Sequence, residues 1–524
     1  MLQKYVRVVS YASDQANPGG HAFEYPPVAV KRGGRARSDG SRPGPGHRVE
    51  PFERCTQARA AWRAAESPSF RGGGRSICSD EAAYRTRVLP EGSPVSERCG
   101  GSTMVIRDPV HGDIELGRLE AAVLDLPAVQ RLRGIKQLGT ANYVYPGALH
   151  TRFDHSLGAC TLAHRMIEGL RRGGTPVSAE LEEWIGVGAL LHDVTHVPFG
   201  HTLEDERRLF PRHDKGTRLV RMLDGELGEA LERLEIASPV AGLLGVAAND
   251  LPAWASEVIA STLDADLLDY LRRDSYFTGL AQEYDDRIFR YFSVADDHLA
   301  LRMVKHGMDR PDARSEVIQL LRMRYFLTER VYYHHTKVVA GAMISKAVEI
   351  ALDAGALAEQ DLLSLNDWTL LDRLEHAAPA AAARLAGRLR RRDLLKRGYV
   401  VSAGSVGPED RAALVRRYHE SRAERARAEA DLAAGLGLPP EEVIVYCPAL
   451  SVMKEAGAWV ETASGLRRLN DPQSVAFAEI QAIEARYSGL WRFYVFVPAA
   501  AADVAGLAAE MFGHHSEHQA PAQY

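Results

Sequence analysis

From Met104 onward the chain runs through two hydrophobic periods. Ile106-Arg107-Asp108-Pro109-Val110-His111-Gly112-Asp113-Ile114-Glu115-Leu116 alternates apolar and polar positions around a glycine, which predicts a short hairpin. Beyond it, apolar residues recur at helical spacing over 155–171, 180–193, 254–274 and 315–352. The segment 355–435 also reads as helical and is basic in places, as in Arg388-Leu389-Arg390-Arg391-Arg392. The period then shortens towards two in Glu442-Val443-Ile444-Val445-Tyr446 and Leu490-Trp491-Arg492-Phe493-Tyr494-Val495-Phe496-Val497, which predict strands, with helices at 473–486 and 502–512. The expected fold class is mainly α: a helical core at 104–350, a helical extension at 351–435, a small α/β C-terminal subdomain at 436–513 and a tail at 514–524. His514, His515 and His518 are read as part of that frayed tail.

Residues 1–103 break the pattern. They hold 13 Gly and 9 Pro with no sustained period, so too little apolar surface is available to offset the entropy of ordering. A disordered basic extension is expected, read either as a nucleic-acid-binding tail or as an extension upstream of a true start at Met104.

Charge and composition narrow the class. The 524 residues are 46% hydrophobic and 25% charged, ordinary for a globular protein. Residues 1–103 carry 16 Lys/Arg against 10 Asp/Glu, and the remainder 48 against 59. That acidic body disfavours a general nucleic-acid binder but leaves room for a local basic pocket around a small anion. No apolar run reaches the length of a membrane span and no signal peptide opens the chain, so a cytoplasmic protein without a membrane partner is expected. The five cysteines, Cys55, Cys78, Cys99, Cys160 and Cys447, form no CxxC pair, and reduced thiols are expected.

The chemistry concentrates in Leu190-Leu191-His192-Asp193-Val194-Thr195-His196-Val197-Pro198-Phe199-Gly200-His201, directly after an apolar helix. Groups of this kind are costly to bury unless paired or used, which points to a metal-centred site. Asp266, Tyr270 and Asp274 are spaced by four and share one helix face, beside the apolar row Leu263, Leu267, Leu271. Thr151-Arg152-Phe153-Asp154-His155-Ser156 sets an Arg and a His at the start of another helix.

These blocks resemble the HD-domain superfamily and, within it, the dGTPase-like deoxynucleoside triphosphate triphosphohydrolases. The resemblance spans about Ile106 to Lys337. Asp108-Pro109-Val110-His111-Gly112, Gln130-Arg131-Leu132-Arg133-Gly134-Ile135-Lys136-Gln137-Leu138-Gly139, Tyr145-Pro146-Gly147-Ala148 and Arg152-Phe153-Asp154-His155-Ser156-Leu157-Gly158 carry it, together with the His192-Asp193 run. It implies an HD-domain helical core with one divalent ion, Mn, Fe, Mg or Zn, held by His155, His192, Asp193 and Asp266. Two imidazoles and two carboxylates balance such an ion and leave positions open for a phosphate oxygen and a water.

The same resemblance implies release of whole triphosphate from a nucleoside, with His201 as acid on the leaving 5′-oxygen and Glu204 where animal members have Asp. His196 and His213 match histidines that contact phosphate or the attacking water, and Arg152 an Arg that grips phosphate. Gln137 and Leu138 match residues beside the deoxyribose, and Tyr270 and Asp274 residues on the sugar and its 3′-hydroxyl. Asp125, Gln130 and Arg133 match a contact to a guanine nucleotide activator at a subunit interface, which implies a homo-oligomer. An equal alternative is that Asp125 caps the following helix and Arg133 forms a surface ion pair.

Two departures stand out. Thr195 replaces a common Gly, so the loop after the metal pair is expected to turn differently, and Leu267 replaces a phosphate-binding Lys. Arg324, Arg330, Tyr333, His334 and Lys337 are candidates to restore that charge, Tyr333 and Lys337 first. The leading function is a dNTP triphosphohydrolase. The alternatives are an HD-family phosphatase or phosphodiesterase acting on another nucleotide, with His196, His201 and His213 available for a second metal, and a catalytically silent nucleotide sensor.

Overall fold

The computed structural model describes residues 104–213, 217–450, 452–501 and 504–517. The expectations for residues 1–103 and for His518 lie outside the described residues. The described chain opens on a hairpin, Met104–Asp108 paired antiparallel with Gly112–Leu116. Asp108 Oδ1 accepts from the amides of Val110 and His111 at 2.9 and 2.8 Å, a local turn bond that competes well with strand pairing, and Gly112 takes φ +83°.

Three helices build the scaffold of the core. Arg152–Arg172 begins at a capping box in which Thr151 and Asp154 exchange side-chain-to-backbone bonds. Ala179–Leu191 begins at Ser178, whose hydroxyl accepts from the Leu181 amide. Ala265–Thr278 is capped by Asp264 and stops at Gly279, φ +71°. The apolar stretch 254–274 is therefore not one helix: Ala253–Ile259 ends first, and the Asp264 cap starts a new one.

The stretch 315–352 is also divided. Pro311–Leu327 passes through a π-helical turn at Thr328–Tyr332, and a new helix, His335–Asp353, starts after the extended His334. Residues 355–435 are not helical throughout. Lys396–Ser402 is a strand, because Tyr399-Val400-Val401 pairs with Arg492–Val497, which in turn pairs with Ile444–Tyr446. A second sheet, unmarked by any long period, joins distant parts of the chain. Its hairpin Phe292–Ala295 and His298–Arg302 turns at Asp296 and Asp297, both with positive φ, and pairs in parallel with Trp459–Thr462. Met453, Val460, Ile480 and Tyr487 consequently lie in the same apolar cluster as Leu157, Leu190 and Leu268. Among the described residues no helix is long and apolar enough to cross a membrane.

The loop that follows His192 and Asp193 is pinned from three sides. Arg131 donates to the carbonyls of Val194 and His196 at 3.0 and 2.8 Å. Asp367, fully buried, accepts from the Phe199 amide at 2.7 Å through one oxygen and from the Lys136 ammonium at 2.7 Å through the other. Phe199 and Gly200 both take positive φ, and a side chain on Gly200 would meet Arg152 Nη2 at 2.6 Å. Removing the carboxylate leaves the Lys136 charge buried and uncompensated. Asp367→Ala is expected to destabilise the chain by about 3–5 kcal/mol, read as a lowered midpoint in thermal or urea unfolding; an unchanged midpoint would contradict the role assigned to this ion pair.

Candidate functional site

The helices bring the ligand atoms of His155, His192 and Asp193 within 4.8 Å of one another, with Asp266 beside the two histidines and outside that group. His192 sits at the C-cap of Ala179–Leu191, His155 in the first turn of Arg152–Arg172, and Asp266 in the first turn of Ala265–Thr278. His155 Nδ1 faces Asp269 Oδ2 at 2.8 Å and His192 Nδ1 faces the Ala189 carbonyl at 2.7 Å. Both partners only accept, so both Nδ1 atoms carry protons. The two Nε2 atoms then face each other at 3.2 Å, with Asp266 Oδ1 at 3.0 Å from one and 3.8 Å from the other, and Asp193 Oδ1 at 3.5 Å from His192.

Either a second proton on His155 Nε2 or a metal ion satisfies such a grouping, and the spacing suits the ion. Two donors each about 2.1 Å from one ion stand about 3.0–3.4 Å apart at angles of 90–110°, close to the Nε2–Nε2 and Nε2–Oδ1 separations here. The electrostatics agree. Burial lowers the His155 pKa, but hydrogen bonds to Asp266 and Asp269 outweigh it and push it up to about 10. Burial would raise Asp266 and Asp193, yet the facing histidines hold the first below the usual carboxylate range, and Arg152 with His192 and His196 holds the second there. The residues present therefore fit a divalent ion, with the Asp266 side chain, 36% exposed, on the open side.

Behind His155 stands a buried relay. Asp269 accepts from Arg273 Nε at 2.8 Å and faces His111 Nε2 at 2.6 Å, while Arg273 Nη1 donates to Asp108 at 2.8 Å. Gly158 permits this approach, since a Cβ there would overlap Asp269 and Arg273. The Asp108-Pro109-Val110-His111 block thus orients a ligand candidate from outside the ligand set.

His196, His201, Glu204 and His213 form a second cluster beside the first. Glu204 Oε2 lies 3.2 Å from His201 Nδ1 and 3.4 Å from His213 Nδ1, and Glu204 Oε1 accepts from Arg218 at 2.8 Å. His196 stacks on His213 with centroids 3.8 Å apart. Its Nε2 lies 3.1 Å from Asp193 Oδ1, out of hydrogen-bonding alignment, so both ring nitrogens are buried without a bond. Burial, then Arg152 and His213, lowers the His196 pKa well below its ordinary value, and burial dominates a smaller lowering at His201 that Glu204 opposes. Arg152 donates to Asp193 Oδ2 in a short contact and keeps its Nε unpartnered. Thr195 is not among the residues with positive φ and donates to the His213 carbonyl at 3.4 Å; the positive-φ residues of this loop are Phe199 and Gly200.

Along the Ala265–Thr278 helix, Asp274 accepts from the Tyr332 hydroxyl at 2.6 Å and faces His150 Nε2 at 2.8 Å. Gln137 is bonded through its backbone to the His150 carbonyl, its side-chain oxygen is buried without a partner, and Leu138 beside it is buried. Tyr270 lies 5.2 Å from the Arg324 guanidinium, which is held by Glu455. Leu267 is buried. The charge candidates diverge: Lys337 Nζ stands 3.6 Å from Glu206, Arg330 packs on Phe326, and His334 caps a helix. The Tyr333 amide bonds to the Thr328 carbonyl, while its neighbour Tyr332 is the one that reaches Asp274. Asp125, Gln130 and Arg133 lie apart from this site; Asp125 is exposed at the C-terminal end of Arg118–Leu124, and Arg133 donates to Gln130 Oε1 at 2.8 Å and lies over the Phe153 ring. Sequence reasoning missed Asp269, His150, Tyr332 and Arg131, although Arg131 stands within the Gln130–Gly139 block and Asp269 directly before Tyr270.

The family comparison matches this geometry. Residues 152–274 match the HD domain and residues 314–520 the HD associated region. An uncharacterized protein of Methanocaldococcus jannaschii is 28% identical over 400 residues, covering 75% of this chain and 79% of that one. The deoxynucleoside triphosphate triphosphohydrolase SAMHD1 of Xenopus laevis is 27% identical over 288 residues, covering 46% of this chain and 44% of the relative, so the chain spans less than half of that protein. In fold, the crystal structure of a phosphohydrolase from Bacteroides thetaiotaomicron superposes with a TM-score of 0.57 at 22% identity, covering 75% of this chain and 99% of that one. The chain therefore carries an HD domain followed by the HD associated region.

Asp269→Ala removes the partner that fixes the His155 ring and leaves all four candidate ligands in place. Metal affinity is expected to fall about 10–100-fold, measured by metal retention during dialysis against graded chelator. Affinity equal to wild type would contradict the relay.

Proposed function

We propose that this chain hydrolyses deoxynucleoside triphosphates to deoxynucleoside and inorganic triphosphate, with one divalent ion held by His155, His192, Asp193 and Asp266. The observation that carries this reading is the placement of a cluster spaced for a metal ion between cationic and histidine groups on one side and the Tyr270–Asp274 helix face on the other. When bound, the ion supplies Lewis-acid polarisation of the α-phosphate.

The protein's own groups do the rest. Arg152 keeps Nε free of any bond and offers it to a phosphate oxygen, a donor geometry that lysine lacks. His196, with both nitrogens unbonded, orients the attacking water or a phosphate oxygen. His201 donates the proton to the leaving 5′-oxygen through Nε2 while Glu204 fixes Nδ1. Its lowered pKa in the free protein suits this role only with substrate present, because the incoming negative charge raises it again. Asp274, fixed by Tyr332 and His150, accepts from the 3′-hydroxyl, and Tyr270, Gln137 and Leu138 surround the sugar. Lys337 and Tyr333 are assigned to the triphosphate.

The surface trio Asp125, Gln130 and Arg133 belongs to the same reading as a guanine nucleotide contact within a homo-oligomer. A second reading, a two-metal phosphoesterase acting on another nucleotide, draws support from the grouping of His196, His201, Glu204 and His213, whose ligand atoms lie within 4.8 Å of one another.

Product identity separates the readings. Anion-exchange analysis of dNTP turnover is expected to give triphosphate as the first product, whereas pyrophosphate or orthophosphate would overturn the proposal. Asp193→Ala is expected to lower turnover by more than about a thousandfold together with metal content; full activity in the metal-free variant would refute the ligand assignment.

A further inference from the structure

A third cluster lies outside the site described. Cys160 and His164 are one helical turn apart on Arg152–Arg172, the i, i+4 spacing that puts two ligands on one helix face. Glu120, in the first turn of Arg118–Leu124, reaches between them: Oε1 lies 3.5 Å from Cys160 Sγ and 2.5 Å from His164 Nε2. The three ligand atoms lie within 4.8 Å of one another, with Cys160 and Glu120 buried and the His164 side chain 31% exposed. Gly186 on Ala179–Leu191 makes the space, since a Cβ there would overlap Glu120 and lie 2.9 Å from His164 Nε2.

We propose that Glu120, Cys160 and His164 form a zinc site, distinct from the HD ligands, that bridges the helices Arg118–Leu124 and Arg152–Arg172 and keeps its fourth position open. Thiolate, imidazole and carboxylate are the donor types zinc takes, and a water entering on the exposed side of His164 completes four ligands. The remaining ring nitrogen is already oriented: His164 Nδ1 faces Glu182 Oε1 at 3.1 Å, the carboxylate–histidine arrangement that fixes a zinc ligand.

Charge balance favours the exchange. Without an ion, both His164 nitrogens face carboxylates, so the ring is an imidazolium between Glu120 and Glu182, with Arg171 on Glu182 and a neutral thiol at Cys160. Zinc displaces one proton from His164 Nε2 and one from Cys160 Sγ, two positive charges for two, so the buried cluster keeps its net charge. The Sγ–Oε1 separation already suits tetrahedral ligation at about 2.1–2.3 Å, and the Nε2–Oε1 contact has to open by about 0.8 Å.

Cobalt(II) is a probe specific to the sulfur ligand, because the HD ligands include none. The full-length chain, stripped with chelator and reloaded with cobalt(II), is expected to show a thiolate-to-cobalt charge-transfer band in the near ultraviolet that added zinc abolishes. Cys160→Ala is expected to lose the band and one zinc per chain by elemental analysis, while Cys447→Ala and Asp193→Ala keep the band. If Cys160→Ala fails to fold, His164→Gln, which retains the thiol, is expected to weaken zinc retention at least tenfold. No band in the wild type, a band surviving Cys160→Ala, or wild-type zinc retention in His164→Gln would each overturn the proposal. None of these results depends on which nucleotide the chain hydrolyses.

Discussion

Two imidazole nitrogens facing each other at 3.2 Å inside a carboxylate-lined pocket cannot persist without a positive charge between them. Much of the architecture serves to hold them there. The Asp108–Arg273–Asp269 relay fixes the His155 ring, the Ala189 carbonyl fixes His192, and Arg131 with Asp367 clamps the loop that carries the second histidine cluster. These supports come from segments scattered between Asp108 and Asp367, so the geometry depends on the tertiary fold and not on one motif.

The same constraint explains why so many charges are buried. Arg207 is shared between Glu349 and Glu429, and Lys346 also donates to Glu429, in a network joining the end of the π-helical turn Thr202–Glu206 to the helices His335–Asp353 and Arg422–Leu436. A buried pair of this kind adds little net stability, but breaking one partner is costly, which favours a single arrangement. The turn that presents Glu204 to His201 and His213 is thereby fastened to the C-terminal part of the chain.

Local signals carried much of this into the sequence. The Gly112 turn, the helix start at Arg152 and the apolar run before His192 each read correctly because their causes lie within a few residues. The spacing of Asp266, Tyr270 and Asp274 likewise places them along one helix. What failed were features set at long range. Asp269 is one residue off the four-spaced row and is defined by His155, His111 and Arg273. Tyr332, which was not among the expected site residues, lies in the π-helical turn Thr328–Tyr332 and donates to Asp274. Strand Lys396–Ser402 and the parallel pairing of Leu301 with Val460 depend on partners roughly 95 and 159 residues away, beyond any local period.

The central claim is that one divalent ion sits among His155, His192, Asp193 and Asp266. An anomalous-difference map from crystals grown with manganese tests it most directly. The account predicts a peak about 2.0–2.3 Å from the Nε2 atoms of His155 and His192 and from an oxygen of each aspartate. No peak there, with manganese bound elsewhere in the chain, would contradict it.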